Sequence, residues 1–79
     1  MKVLFFAQCR AATGCEDAFL PLTQPVSQTE FWAALIALFP GLAPFGKAAR
    51  LARREAYLQA GEMLHPGDEV AIIPPVSGG

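Results

Sequence analysis

The residues best placed to do chemistry are the last two, Gly78-Gly79, preceded by Pro74-Pro75-Val76-Ser77. Two residues without side chains make a thin, flexible strand. Such a strand can enter a narrow channel and set its terminal carboxylate inside another protein. Average glycine usage of about 7% gives a terminal Gly-Gly in roughly 0.5% of chains, so chance explains it poorly. Residues 74–79, fully extended, span about 20 Å at ~3.3–3.6 Å per residue. That is long enough to reach an active site while the body stays docked outside. Gly79 carries the reactive carbon, and Gly78 gives clearance where the channel is narrowest. Ser77, the one hydroxyl of this segment, reads as a channel contact rather than a nucleophile. Val76, Pro75 and Pro74 complete the threading segment. The two prolines cannot donate to a sheet ladder, and they bias the exit toward an extended form.

Other candidate groups are sparse. Cys9, Cys15 and His65 do not make a zinc ligand set, and no metal site is expected. Two cysteines are few for a disulfide scaffold of this size. They read as free thiols in a reducing compartment, with a pair linked across the first loop as the alternative. Lys47, Arg50, Arg53 and Arg54 cluster, either as a solvated face or as a contact for an acidic partner. The net charge of −1 lacks the basic stripe that nucleic acid requires. No side chain stands out as a general base.

These groups must be positioned by a small body. Residues 2–8 read as a short apolar and aromatic strand. Residues 9–14 form a loop, with room for one helical turn. Residues 17–22 read as a second strand, forming a hairpin with the first across a loop longer than minimal. Ser27-Gln28-Thr29-Glu30 fits a capping box with Ser27 at the N-cap and Glu30 at N3. Phe31, Leu35 and Phe39 then recur at helical spacing, with Trp32 and Ile36 beside them, giving a helix of about three turns whose stripe packs the core. Pro40-Gly41 stops it. Residues 42–47 connect irregularly, and two short strands follow at 49–53 and 56–58 around Arg54-Glu55. His65-Pro66-Gly67-Asp68 is a turn, and residues 69–73 form the last strand. Strands packed by one main helix make an α+β domain.

At 79 residues with 53% apolar content, six Phe, one Trp and one Tyr, the chain supports one domain with a core. Residues 1–79 are expected to be that domain, with 74–79 as its tail. There is no signal-peptide pattern, and no run approaches the ~18 apolar residues of a membrane span. The expectation is a cytoplasmic protein without membrane or nucleic-acid partners.

Strand parity adds a surface. In the first strand Val3 and Phe5 point one way, Leu4 and Phe6 the other; in the last, Val70 and Ile72 oppose Ala71 and Ile73. A sheet open to water on one face alternates apolar with polar residues. Here both faces are apolar, so the helix-free face is expected to be covered by another protein, with loop cover as the alternative.

The element order with a terminal Gly-Gly resembles the ubiquitin-like β-grasp fold. The segments Lys2-Val3-Leu4-Phe5-Phe6-Ala7-Gln8-Cys9-Arg10 and Pro66-Gly67-Asp68-Glu69-Val70-Ala71-Ile72-Ile73-Pro74-Pro75-Val76-Ser77-Gly78-Gly79 are similar to the MoaD-type sulfur carriers, the small subunits of molybdopterin synthase. The second segment is the more specific. Family members often carry a small residue, Val and Asn in the penultimate hairpin, where this chain has Ala52-Arg53-Arg54. The resemblance implies a cycle at Gly79: ATP-dependent adenylation by a ubiquitin-activating-like enzyme (MoeB-type), conversion to a thiocarboxylate, and sulfur donation to a pterin precursor in the large synthase subunit (MoaE-type). The adenylate and the thiocarboxylate are transient, with no permanently bound cofactor. The resemblance also assigns Phe6, Tyr57 and Ile73 to the docking face, with Arg10 near its rim. Two alternatives stand beside this reading. One is a carrier of the same fold for thiazole synthesis or tRNA thiolation. The other is a ubiquitin-like modifier or binding module.

Overall fold

In the first strand, β1 (Lys2–Phe5), alternate residues separate cleanly: Val3 and Phe5 are buried, while Lys2 is exposed and Leu4 partly so. The computed structural model describes residues 1–75, so the proposed tail residues 76–79 lie outside the described part. β1 is shorter than its apolar run of residues 2–8 because Ala7 adopts φ +48°, a left-handed value that strands do not accommodate. There the chain turns into α1 (Ala7–Thr13). This helix replaces the expected loop with about two turns. Gly14 ends it at φ +76° with its N–H donating to the Arg10 carbonyl, the left-handed cap that glycine fills without strain.

β2 (Asp17–Phe19) returns antiparallel to β1, with Val3 opposite Ala18. The expected hairpin is therefore present, with α1 as its connection. α2 (Gln28–Leu38) opens on the capping box foreseen at Ser27 and Glu30. The Ser27 hydroxyl accepts from the Glu30 N–H at 3.1 Å, and the Ser27 N–H donates to Glu30 Oε1 at 2.9 Å. The Ser27 backbone N–H, and after it the Ser27 hydroxyl, hold the Glu30 carboxyl below its ordinary value. α2 stops before Pro40, where a 3₁₀ helix (Pro40–Phe45) takes over. A Cβ on Gly41 would come 3.0 Å from the Ala12 carbonyl, so glycine here lets this segment approach α1.

β3 (Arg50–Arg53), β4 (Ala56–Tyr57) and β5 (Glu69–Ile73) complete a mixed five-stranded sheet of order β2-β1-β5-β3-β4. β5 lies between β1, parallel, and β3, antiparallel. α2 and the 3₁₀ segment cover one face. The core joins Val3, Phe5, Leu51, Val70 and Ile72 from the sheet to Phe31, Leu35, Leu42 and Cys9 from the helical side. Phe39, the last residue of the helical stripe, meets Phe5 edge-on at 5.4 Å between ring centres. The architecture is the expected α+β arrangement.

Candidate functional site

The site is built on the other face of the sheet. Residues side by side in register point to the same face. Leu4, Ala71, Ala52 and Tyr57 therefore form one row across four strands. Phe6 continues the parity of Leu4, and Ile73 that of Ala71. Together Leu4, Phe6, Ala52, Ala71 and Ile73 line a shallow, mostly apolar groove of about 330 Å³, edged by Arg54, Glu55 and Glu69. Among the described residues no helix or loop closes it, and Phe6 remains 42% exposed.

Phe6 and Ile73 thus meet in this groove. Tyr57, 43% exposed, lies on the same face but outside the groove lining, toward the edge strand. The Arg50 guanidinium sits 3.8 Å from its ring centre, a cation–π contact that fixes the ring's position. Arg10 is not part of the groove. It lies on α1, half-exposed, 3.9 Å from Glu16, and the groove's rim is formed by Arg54, Glu55 and Glu69 instead. Phe19 was missed. It stands opposite Lys2 on this same face and is 70% exposed. Its outward parity in the second strand is the signal that would have found it.

The basic cluster divides. Arg53 points to the covered side, with its side chain only 18% exposed. It donates to Asp68 Oδ2 at 2.7 Å and to the Met63 carbonyl at 3.0 Å, and it lies 3.4 Å from Glu62. Burial raises the Asp68 carboxyl. The His65 N–H and the hydrogen bond and charge of Arg53 outweigh that and hold it below its ordinary value. This knot ties β3 to the turn before β5. Arg50 lies on the open side, and Arg54 at the hairpin tip borders both the groove and a cleft shared with Arg53, His65 and Asp68.

Pro74 is buried and Pro75 exposed. Pro74 therefore belongs to the body, which corrects its assignment to a free tail. Val76, Ser77, Gly78 and Gly79 lie outside the described residues. Cys9 and Cys15 are unlinked thiols, as expected, and burial pushes the Cys9 thiol up. Among the described residues no cluster of three His, Cys, Asp or Glu could hold a metal, and no helix is long and apolar enough to cross a membrane.

A mixed sheet of this order wrapped on one face by a main helix is the ubiquitin-like β-grasp class. SAMP1 from Haloferax volcanii has the same fold, with a TM-score of 0.83 at 25% identity over 100% of this chain and 98% of that one. A chain from the complex of subunits 1 and 2 of the molybdopterin-converting factor of Helicobacter pylori matches with a TM-score of 0.65 at 23% identity, covering 99% of this chain and 96% of that one. Residues 3–79 match the model of the ThiS family, and the chain belongs to that family. Its curated relatives include the molybdopterin synthase sulfur carrier subunits of Homo sapiens, 34% identical over 100% of this chain and 93% of that protein, and of Chlamydomonas reinhardtii, 38% identical over 100% and 98%.

Proposed function

We propose that this chain is the sulfur-carrying small subunit of a molybdopterin synthase. One observation carries the reading: the family match runs through residue 79 and so includes Gly78-Gly79. The curated relatives named as molybdopterin synthase sulfur carriers align over the whole chain, which favours pterin over thiazole as the destination of the sulfur.

In this reading a carboxylate oxygen of Gly79 attacks the α-phosphorus of ATP in a ubiquitin-activating-like enzyme, and pyrophosphate leaves. A sulfide-level sulfur donor then attacks the carbonyl carbon of the acyl-adenylate, AMP leaves, and the sulfur stays on that carbon. The resulting thiocarboxylate donates its sulfur to the cyclic pyranopterin monophosphate in the larger synthase subunit. Two rounds supply the dithiolene of molybdopterin, and each time water cleaves the bond from the Gly79 carbonyl carbon to the transferred sulfur and returns Gly79 as a carboxylate. The body contributes binding rather than proton transfer. The groove around Phe6 and Ile73 docks the larger subunit, Tyr57 extends the contact toward the sheet edge, and Arg10 acts at the periphery. Val76, Ser77 and Gly78 thread the channel, and Pro75 is exposed next to buried Pro74. The cycle needs ATP and a sulfur source, both found in the cytoplasm.

The test is reconstitution with the larger subunit, the activating enzyme, ATP and a sulfur donor, followed by dithiolene formation. Deleting Gly79 is expected to abolish product while leaving thermal unfolding unchanged. Continued turnover by the truncated chain would contradict the mechanism.

A further inference from the structure

The β3–β4 hairpin carries a conflict between sequence and backbone. Arg53 pairs with Ala56, so Arg54 and Glu55 alone make the loop. Both adopt positive φ, +55° and +64°. A two-residue hairpin loop with two positive φ values is the type I′ turn, which strongly favours Asn-Gly. Long side chains with a Cβ are strained there.

No side-chain hydrogen bond or ion pair among the described residues offsets that strain, because neither Arg54 nor Glu55 takes part in one. The contrast with Arg53, one residue away and held by Asp68, Glu62 and the Met63 carbonyl, is sharp. Yet Arg54 and Glu55 both border the apolar groove that contains Phe6 and Ile73. The tip therefore sets a cation and an anion side by side at the mouth of a surface that no part of the described chain covers.

We propose that Arg54 and Glu55 are specificity contacts for the larger synthase subunit, an assignment that rests on the function proposed above. The fitting partner surface is an apolar ridge that fills the groove, with a carboxylate facing Arg54 and a basic side chain facing Glu55. Charges at the rim of an interface steer encounter and fix register more than they add affinity. They also reject partners that present like charges. The strained turn is retained because Asn-Gly, though better for the hairpin, carries no charge to this rim.

Two variants test the assignment against the larger subunit from the same organism, with association followed by stopped flow at low and high salt. R54N/E55G is expected to raise Tm by about 5 °C. It should slow association at low salt by roughly 10-fold and flatten its salt dependence. R54E/E55R keeps the strain and reverses the charges, so Tm should stay within about 2 °C while association slows at least as much. Wild-type association rates in both variants would overturn the specificity role, and an unchanged Tm in R54N/E55G would overturn the strain argument. If the variants behave like wild type while the wild-type complex still forms dithiolene, this inference alone falls. If wild-type protein forms no complex with the larger subunit, the functional reading falls and this inference with it. Self-association of wild type that the charge reversal disrupts would assign the rim to a second copy and overturn the choice of partner.

Discussion

The two faces of the sheet are built from alternate residues of the same strands, and both are apolar, yet they have opposite fates. On the helical side Val3, Phe5, Val70 and Ile72 are at most 1% exposed. Their neighbours Leu4, Phe6, Ala71 and Ile73 remain partly or largely open. Hydrophobicity alone does not distinguish the two sets; what lies opposite does. α2 and the 3₁₀ segment bury one face within the chain, while the other keeps a groove that none of the described residues closes. Burial on the first face contributes to folding, and burial on the second is available to binding. Charge follows the same division. Arg53 on the covered side is tied to two carboxylates, whereas Arg50 on the open side and Arg54 at the hairpin tip have no acidic partner among the described residues.

The widest separation is expected between adjacent phenylalanines. Phe5→Ala should cost about 3–5 kcal/mol of stability, the range for truncating a buried Phe. Phe6→Ala should cost about 1 kcal/mol or less yet weaken binding to the larger subunit. Matched urea denaturation and binding titrations check this. Equal losses of stability in the two variants would erase the distinction between the faces.

A smaller effect is expected at the covered-side knot. Asp68→Asn should destabilise by about 1–3 kcal/mol, because Arg53 loses the charge it faces. The folded Asp68 carboxyl is held below its ordinary value. Its stabilisation is therefore complete above about pH 4, the unfolded carboxylate range, and is lost as pH falls through the folded value. Denaturation midpoints between pH 7 and pH 3 should fall less steeply in the variant than in wild type, with Glu30 supplying part of the remaining slope. Parallel pH profiles would show that the pair does not carry this dependence.

The smallest effect belongs to the open side. Tyr57→Ala removes the ring beneath Arg50 and should cost about 0.5–1 kcal/mol, as an exposed cation–π contact does. Thermal unfolding measures it, and a loss comparable to that of Phe5→Ala would place Tyr57 in the core instead.

Much of this organisation was legible in the residues. β5 matches its expected residues 69–73 because Gly67-Asp68 and Pro74-Pro75 bound it with turn and breaker chemistry. α2 was legible at both ends through Ser27, Glu30 and Pro40. Strand parity separated Phe5 from Phe6. What escaped depends on backbone conformation that side-chain type does not announce. Ala7 at φ +48° shortens β1 and starts α1, and alanine gives no sign of a left-handed value. The strained tip at Arg54 and Glu55 escaped for the same reason. The pairing of Arg53 with Asp68 escaped as well, being a contact between residues 15 apart in sequence. Phe19 could have been read from parity, but a strand of three residues is too short for alternation to stand out.

The central claim is that Gly79 carries sulfur, and the mass of the intact chain tests it most directly. After incubation with the activating enzyme, ATP and a sulfur donor, replacement of one carboxylate oxygen by sulfur should add about 16 Da. The gain should map to the C-terminal peptide and vanish on incubation with the larger subunit and its pterin substrate. An unmodified carboxylate at Gly79 under all of these conditions would contradict the account.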